Sequence, residues 1–196
     1  MRILRDAAKI ANPGGSSVHG IIFNELRKYA NASFGEKTWE SLLKEAGTGE
    51  SVYLASRSYP DEHVTAIVTA ASRVSGIPPA QLLEGFGEFV APDLLGMFRS
   101  LIREEWRTLD VLENTEETIH KVARIQYADA RPPYLQAKRT APDTVTIVYT
   151  SARKLCAIAK GITRGVAKHY GEKIALSESR CMLKGASECQ IVVRTV

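Results

Sequence analysis

The sequence has little of what would assign a protein to a functional class by composition alone. Only three of its 196 residues are cysteine, and aromatic residues make up 7% of the chain. An odd number of cysteines favours reduced thiols over a framework of disulfides. The net charge is only +4, and the lysines and arginines are dispersed among the acidic residues. Together with the low aromatic content, this dispersal argues against a nucleic-acid-binding surface.

Long apolar runs are absent as well. No apolar stretch approaches the length of a membrane-spanning helix, and the N-terminus lacks the uninterrupted apolar region of a signal peptide. These absences predict a cytoplasmic protein without a membrane partner. No nucleophile has neighbours spaced to activate it, so we do not expect an enzyme. Hydrophobic residues make up 44% of the chain, which is enough for one domain with a sizeable core.

The first half of the chain carries apolar residues at helical spacing. Residues 1–17 precede this pattern and end in a linker-like segment rich in glycine and serine, so they predict an N-terminal extension. The remainder, residues 18–196, predicts a single domain. The helices predicted in its first half cover approximately His19–Ala32, Trp39–Ala46, Pro60–Ser75, Ala80–Val90 and Pro92–Arg107.

The second half changes to β-branched segments separated by turns. Four strands with one intervening helix predict a small antiparallel sheet beside the helical half, which is an α+β fold. The predicted strands are Tyr134–Lys138, Thr144–Tyr149, Lys173–Ser177 and Gln190–Val196, and the predicted helix is Leu155–Tyr170.

The pattern over Thr115–Tyr127 predicts a helix that carries a single histidine, His120. Helical spacing puts Ala123 and Tyr127 on the same side as His120, so the imidazole faces an apolar stripe. A histidine in such a position is often a structural residue with a protein partner, but it also suits the binding of iron. The helix must end before Pro132-Pro133, because proline lacks the backbone donor and biases its predecessor out of the helical region.

A second candidate set follows the proline pair. Tyr149, Ser151 and Arg153 alternate along the sequence, so on a strand their side chains would share one face. Two hydroxyls and a guanidinium suit a carboxylate or a phosphate. Together with one imidazole they supply what a haem needs, which is an axial ligand for the iron and a cation for the propionates. The less specific interpretations are a surface ion pair for Arg153 and an ordinary strand aromatic for Tyr149.

At these residues the sequence resembles the haem nitric oxide/oxygen-binding (H-NOX) family, which includes the haem domain of soluble guanylate cyclase. His120 precedes Pro132 by 12 residues, the Tyr-x-Ser-x-Arg motif is complete, and the likeness begins at Val18-His19-Gly-Ile-Ile-Phe. The resemblance implies a helical N-terminal subdomain packed on a C-terminal subdomain with a four-stranded antiparallel sheet, and haem b (Fe protoporphyrin IX) between them. The residues it assigns to the haem are His120 as ligand of the iron, Tyr149, Ser151 and Arg153 at the propionates, and Pro133 beside the haem.

The resemblance also bears on which gas binds. Oxygen-binding members of the family have a tyrosine five residues after the arginine of the motif, and here Ile158 occupies that position. Because bound oxygen is stabilised by a hydrogen-bond donor, the missing hydroxyl predicts a nitric oxide sensor that excludes oxygen. The other residues expected on the gas side also lack a donor, and they are Ile22, Leu26, Phe86 and Phe89.

The three cysteines, Cys156, Cys181 and Cys189, do not have the paired spacing typical of a zinc site. They resemble those of a bacterial branch of the family in which three cysteines and a histidine bind zinc. Glu178 occupies the position of that histidine, and a carboxylate also ligates zinc. His169 is an alternative fourth ligand, and free thiols are the alternative to a metal site.

The resemblance implies a partner protein as well, because stand-alone members of the family regulate a separate histidine kinase or cyclic-di-GMP enzyme. Nitric oxide weakens the bond opposite it, and the resemblance implies that His120 is then released from the iron. The main alternative is a haem-free module similar to the vinyl-reductase (4VR) ligand-binding domains, or a thiol or zinc redox module. The segment Cys181–Cys189 supports this alternative, because it resembles a pattern of those domains.

Overall fold

The computed structural model describes residues 17–127 and 130–196. Apart from Ser17, the predicted N-terminal extension lies outside these residues. A first short strand, β1, pairs antiparallel with β2, and Val18 lies opposite Tyr59. The elements of the first half are β1 (Ser17–His19), α1 (Gly20–Phe34), α2 (Thr38–Ala46), β2 (Ser58–Pro60), α3 (Asp61–Ser75), α4 (Pro79–Met97) and a short 3-10 helix (Arg99–Leu101).

Two of these helices end at the glycines that the sequence indicated. Gly47 follows α2 with φ 62° and Gly76 follows α3 with φ 71°. Both values lie in the left-handed region, where a side chain would be strained and glycine is not. Each glycine N–H donates to a carbonyl in the last turn of its helix, so the two ends are capped.

The predicted helix boundary at Pro92 is wrong. Pro92 lies inside α4, which continues to Met97, and no separate helix covers 92–107. An interior proline costs about 3 kcal/mol, but Val90 and Ala91 beside it are almost completely buried. Burial of this part of α4 against the core outweighs the lost hydrogen bond.

The second half contains the predicted sheet. Its strand order is β3-β4-β6-β5, and every neighbouring pair is antiparallel. The elements are α5 (Thr108–Asn114), a π-helical turn (Glu116–His120), α6 (Lys121–Gln126), β3 (Tyr134–Ala141), β4 (Thr144–Thr150), α7 (Cys156–His169), β5 (Ile174–Arg180), a second 3-10 helix (Met182–Lys184) and β6 (Cys189–Thr195). The expected α+β fold, with a helical half beside a four-stranded antiparallel sheet, is therefore confirmed.

One face of the sheet packs on α5. The alternation of β4 and β6 turns their apolar side chains to this face, and the residues that form the cluster are Leu109, Leu112, Val145, Ile147, Ile191 and Val193. The helical half has its own, larger core of α1 to α4. The helical half and the sheet half of the described residues therefore each have an apolar cluster, and a smaller cluster of Ala91, Leu95, Val111 and Val166 lies where α4, α5 and α7 meet.

Helices α4 and α7 join the two halves through glycines. A Cβ at Gly87 would overlap the backbone of α7 at Ile158, and a Cβ at Gly161 would overlap the backbone of α4 at Glu84. A Cβ at Gly165 would also overlap α4, at the side chain of Ala91 and the backbone of Glu88. The two helix backbones can approach this closely only because these positions carry no side chain. Within the part of the chain described, no helix combines the length and apolar character that crossing a bilayer requires.

Candidate functional site

His120 lies at the end of a π-helical turn rather than in a regular helix. The predicted helix over Thr115–Tyr127 is divided into this turn, Glu116–His120, and α6. The His120 N–H donates to the carbonyl of Thr115, five residues back, at 3.0 Å. π-Helical turns are rare and occur frequently at functional sites. The side chain of His120 is 15% exposed, so its imidazole is mostly shielded from water.

The imidazole of His120 has a carboxylate partner that was not among the residues predicted from the sequence. Nδ1 lies 2.9 Å from Oε2 of Glu116. Oε1 of Glu116 lies 2.8 Å from Nη1 of Arg124, and Oε2 accepts a hydrogen bond of 3.0 Å from the backbone N–H of Leu135 on β3. The i, i+4 spacing of Glu116 and His120 was a usable signal, but the contact with Leu135 depends on the tertiary fold.

The environment moves the pKa values of both groups. Burial lowers the pKa of the His120 imidazole, although Glu116 and the backbone carbonyl of Pro133 act in the opposite direction. Burial alone would raise the pKa of Glu116, but hydrogen bonds from His120, Arg124 and Leu135 keep it below its ordinary value. The carboxylate is therefore charged near neutral pH. Because it can only accept hydrogen bonds, Nδ1 of His120 carries the proton.

The motif residues Tyr149, Ser151 and Arg153 do not all lie on a strand, so that part of the prediction is wrong. Strand β4 ends at Thr150, and the chain then turns towards α7. The Ser151 hydroxyl accepts the backbone N–H of Arg153 at 3.3 Å, and Lys154 has a positive φ of 52°. A serine that bonds the backbone two residues on favours a turn over a continued strand.

Arg153 connects three segments of the chain. Its Nη1 donates to the backbone carbonyl of Ser17 at 2.9 Å and lies 3.8 Å from Oδ1 of Asp61. Nη2 donates to the backbone carbonyl of Arg131. The side chain is 14% exposed, and Asp61 Oδ1 is buried without a hydrogen bond. Arg153 is therefore a shielded guanidinium rather than a member of a surface ion pair.

Tyr149 lies on the buried side of β4, next to the cysteines. Only 3% of it is exposed, and it packs in one cluster with Cys156, Cys181 and Cys189. Burial raises the pKa of its hydroxyl, although a hydrogen bond with Ser151 acts against this shift. The hydroxyls of Tyr149 and Ser151 are thus adjacent, as the motif predicted.

The residues expected on the gas side are brought together within the core of the helical half. Leu26 and Phe86 are buried, and Ile22 and Ile158 pack against the same cluster. The expectation for the fifth residue, Phe89, is wrong, because its side chain is exposed outside this cluster, with its ring 5.5 Å from that of Tyr29. The hydroxyl of Tyr29, which was not among the predicted residues, is also in this region. The Tyr29 ring lies 5.9 Å from that of Phe86, and burial raises the pKa of its hydroxyl.

The three cysteines and Glu178 form one compact group. One ligand atom from each lies within 4.8 Å of all the others. The sulfur of Cys181 is 3.9 Å from that of Cys156 and 4.0 Å from that of Cys189. All three cysteines are buried and free. Burial, followed by hydrogen bonding with Cys189, raises the pKa of the Cys156 thiol to about 12.

Glu178 supplies the carboxylate of this group. Its Oε1 is buried without a hydrogen bond, and its Oε2 lies 3.6 Å from the ammonium of Lys160. The alternative ligand, His169, is wrong. It ends α7, whereas Cys156 begins that helix, and 14 residues of helix separate the two by roughly 20 Å.

Comparison with known proteins identifies the family of this chain. A sequence model described as Haem-NO-binding (HNOB) matches residues 19–178, which is more than half of the chain. The chain belongs to the H-NOX family. Members of this family are haem-based gas sensors, and the domain is a sensor rather than a catalyst. No curated protein matches the H-NOX chain described here.

Solved H-NOX structures have the same fold. An H-NOX protein from S. oneidensis in the Fe(II)NO ligation state is 24% identical with a TM-score of 0.85, over 91% of this chain and 99% of that one. A point mutant of the T. tengcongensis H-NOX is 22% identical with a TM-score of 0.80, over 91% and 97%. Unliganded H-NOX from K. algicida is 19% identical with a TM-score of 0.78, over 91% and 97%.

The donors of this chain fit a haem. His120 offers one shielded imidazole whose Nδ1 is already engaged by Glu116, so that Nε2 is the atom for a metal. Arg153 offers a guanidinium that bonds backbone carbonyls. A propionate would form stronger, charge-assisted hydrogen bonds with the same fork. The adjacent hydroxyls of Ser151 and Tyr149 add donors beside it.

Proposed function

We propose that this protein senses nitric oxide at a ferrous haem whose iron is ligated by His120, and that it signals in trans to a regulatory partner. The observation that carries the proposal is the shielded imidazole of His120, which ends a π-helical turn and is oriented by Glu116. When bound, the haem would supply a ferrous iron that binds a diatomic gas, and His120 would be the ligand that the chain gives to that iron.

The motif residues would bind the other end of the haem. Arg153 has the planar fork that matches a carboxylate with two parallel hydrogen bonds. The hydroxyls of Ser151 and Tyr149 would complete the site for the propionates, and Pro133 would lie against the haem on the side of His120. These residues belong to the sheet half, so the haem would connect that half to the helix that carries His120.

The apolar cluster of the helical half supports nitric oxide as the gas. The side chains of Ile22, Leu26, Phe86 and Ile158 have no donor for bound oxygen, which needs one for a stable complex. Nitric oxide binds ferrous iron without such help, so the pocket would discriminate in its favour.

The partner would respond to a change in the arrangement of the helical half relative to the sheet half. While iron binds His120, the helix that carries it is linked through the haem to the sheet half. Release of His120 by nitric oxide would remove this link and favour a second arrangement of the two halves, which is a two-state equilibrium biased by one bond. A histidine kinase or a cyclic-di-GMP enzyme is the partner that we propose, with residues 18–196 as the sensor domain and residues 1–17 as an extension.

The absorption spectrum of the purified protein tests the haem assignment. We expect a Soret band, its loss in His120→Gly, and its return when imidazole is added to that variant. His169→Gly, which changes an exposed histidine, is the matched control and should leave the band unchanged. If the wild-type protein has no Soret band after haem is supplied, the haem-free alternative related to 4VR domains replaces our proposal.

We also propose a zinc ion bound by Cys156, Cys181, Cys189 and Glu178. Zinc–sulfur bonds of about 2.3 Å in a tetrahedron place sulfur atoms roughly 3.8 Å apart, close to the spacing found here. The buried Oε1 of Glu178, which has no hydrogen bond, is suited to be the fourth ligand. Metal analysis should give one zinc per chain in the wild type and less in Glu178→Ala. A zinc-free wild-type protein purified without chelator would support free thiols instead.

A further inference from the structure

Glu116 is a shielded carboxylate that contacts His120, and it could therefore influence a metal ligated by that histidine. Three hydrogen-bond donors from three different elements converge on its carboxylate, which are the imidazole of His120, the guanidinium of Arg124 and the backbone N–H of Leu135. Its side chain is 13% exposed, whereas that of the next residue, Glu117, is 81% exposed. A buried carboxylate is costly unless it is paired and hydrogen-bonded, and Glu116 is both.

The geometry fixes which nitrogen of His120 is available to a metal. The proton on Nδ1 is donated to Oε2 of Glu116, so Nε2 carries the lone pair. A carboxylate that accepts the proton of a ligating imidazole makes the ligand more basic and fixes its orientation. Arg124 contacts the other oxygen of Glu116 and withdraws part of its charge, so the two side chains have opposite effects on the imidazole.

We propose that Glu116 is a positioning residue that strengthens the bond between His120 and the haem iron, and that it thereby sets how readily nitric oxide releases the histidine. The inference rests on the proposed function, because it concerns the same ligand. A stronger iron–histidine bond makes release of His120 by nitric oxide less favourable. Arg124 makes the release more favourable, because its contact with Glu116 withdraws charge from the carboxylate. The pair thus determines the sensitivity of the sensor without contact with the gas.

The backbone carbonyl of Pro133 is the competing acceptor. It also interacts with the imidazole, and a side-chain substitution at position 116 does not remove it. If Pro133 governed the basicity of His120, changes at Glu116 would have no electronic effect. The two acceptors can therefore be separated by experiment.

The first measurement is resonance Raman spectroscopy of the ferrous, haem-loaded, full-length protein without gas. The frequency of the iron–histidine stretch reports the strength of that bond directly. We expect it to fall in Glu116→Gln, which keeps the shape but removes the charge. It should rise in Arg124→Met, where Glu116 no longer shares its charge. Glu117→Gln, which changes the exposed neighbour, should leave the frequency as in the wild type.

The second measurement is the midpoint potential of the haem, because a more basic ligand favours the ferric state. Partners of metal ligands typically contribute tenfold or more in affinity. A tenfold loss of preference for ferric iron corresponds to an increase of about 59 mV for one electron. We therefore expect a rise of about this size in Glu116→Gln and a decrease in Arg124→Met. Release of His120 by nitric oxide, followed by absorption, should be faster in Glu116→Gln than in the wild type.

The test is specific because the iron–histidine stretching frequency is expected to fall in Glu116→Gln and to rise in Arg124→Met. A purely structural role would shift the stretching frequency of Glu116→Gln and Arg124→Met in the same direction, and this outcome would overturn the inference. Equal frequencies and potentials in all variants would also overturn it and would favour the Pro133 carbonyl. In both cases a visible iron–histidine band leaves the proposed function intact, whereas the lack of any such band in the wild type would refute the proposed function itself.

Discussion

Arg153 illustrates how much of this protein depends on the shape of single side chains. Its guanidinium donates from both terminal nitrogens, to the carbonyls of Ser17 and Arg131. Lysine has the same charge but a single ammonium, and it cannot donate in two parallel directions. Substitution of Arg153 by lysine therefore tests the contribution of the planar fork while the positive charge is kept.

Arg153→Ala should weaken haem retention more than Arg153→Lys. Hydrogen bonds to charged groups contribute about 1.5–3 kcal/mol, so the alanine variant should lose haem roughly tenfold or more faster than the wild type. The rate of haem transfer to a scavenging protein measures this. Lys168→Ala, which removes an exposed cation on α7, is the control. Equal rates in all four proteins would mean that Arg153 does not bind the haem.

A second prediction at the scale of the residue concerns Ile158. Ferrous wild-type protein in air should form no stable oxygen complex, because the cluster around Ile158 and Phe86 is apolar. Ile158→Tyr adds a hydroxyl donor and should produce an oxygen complex visible by absorption. Ile158→Phe adds the ring without the hydroxyl and should behave like the wild type. A long-lived oxygen complex in the unmutated protein would contradict an apolar gas pocket.

Single residues also mark the limit of what the sequence predicts. The spacing of His120 and of the Tyr-x-Ser-x-Arg motif is local, and it identified residues that the fold turns out to shield. The i, i+4 spacing of Glu116 and His120 was a local signal for their contact, but the third partner of Glu116, Leu135, lies 19 positions away. Contacts of that kind arise from tertiary packing and have no local signature.

Helices and strands were predictable in kind, and their boundaries were predictable where a glycine ends a helix, as at Gly47 and Gly76, but not at Pro92. Alternating and helical patterns identified the four strands of the sheet and the main helices, because burial of one face imposes the period. Pro92 was predicted to separate two helices because of its local backbone effect, but α4 continues through it because this part of the helix is buried. The strand predicted over Thr144–Tyr149 ends within one residue of β4, and the Ser151 hydroxyl, which accepts the backbone N–H of Arg153, favours the turn that follows it.

At the scale of these elements, α4 and α7 are joined by charges as well as by glycines. Glu84 on α4 lies 3.1 Å from Lys160 and 2.5 Å from Arg164 on α7. Burial alone would raise the pKa of Glu84, but the hydrogen bonds from these two cations keep it below its ordinary value of 4.5. Lys160 also approaches Glu178, so this network reaches the cysteine group.

Glu84→Gln should lower the stability of the protein near neutral pH by less than about 1 kcal/mol, because the pairs are partly exposed. The folded-state pKa is depressed, so the stabilisation is present above pH 4.5 and is lost as the pH falls below that value. Urea unfolding of wild type and variant at pH 7 and at acidic pH measures the difference. Glu45→Gln, at an exposed pair with Arg73, is the control. A difference that persists at acidic pH would assign the effect to packing.

At the scale of the molecule, the described residues form a helical half and a sheet half that meet at α4 and α7 and, in our proposal, at the haem. The segment with the π-helical turn is attached to the sheet half through the hydrogen bond between Glu116 and Leu135. A change at His120 would therefore have a direct route to β3 through the Glu116 carboxylate. This route makes the amide of Leu135 a reporter of the signalling state.

Nitric oxide should increase hydrogen exchange in the segment 115–127 and at Leu135, because release of His120 loosens the turn. His120→Gly protein that binds haem with added imidazole has no bond between the iron and the chain at position 120, so it should exchange like the nitric-oxide-bound state without any gas. Mass spectrometry of the unliganded, nitric-oxide-bound and variant proteins provides the comparison. Equal protection in the three samples, with regulation of the partner still intact, would rule out this route.

The glycines between α4 and α7 have a consequence for the search for further sensors of this kind. Gly87, Gly161 and Gly165 carry no chemistry, yet a single methyl group at any of them would collide with the opposite helix. A genome survey keyed to the histidine and the arginine alone would therefore accept sequences that possess the ligands but cannot place them at the right separation. A query that also requires glycine at these three positions would exclude such sequences.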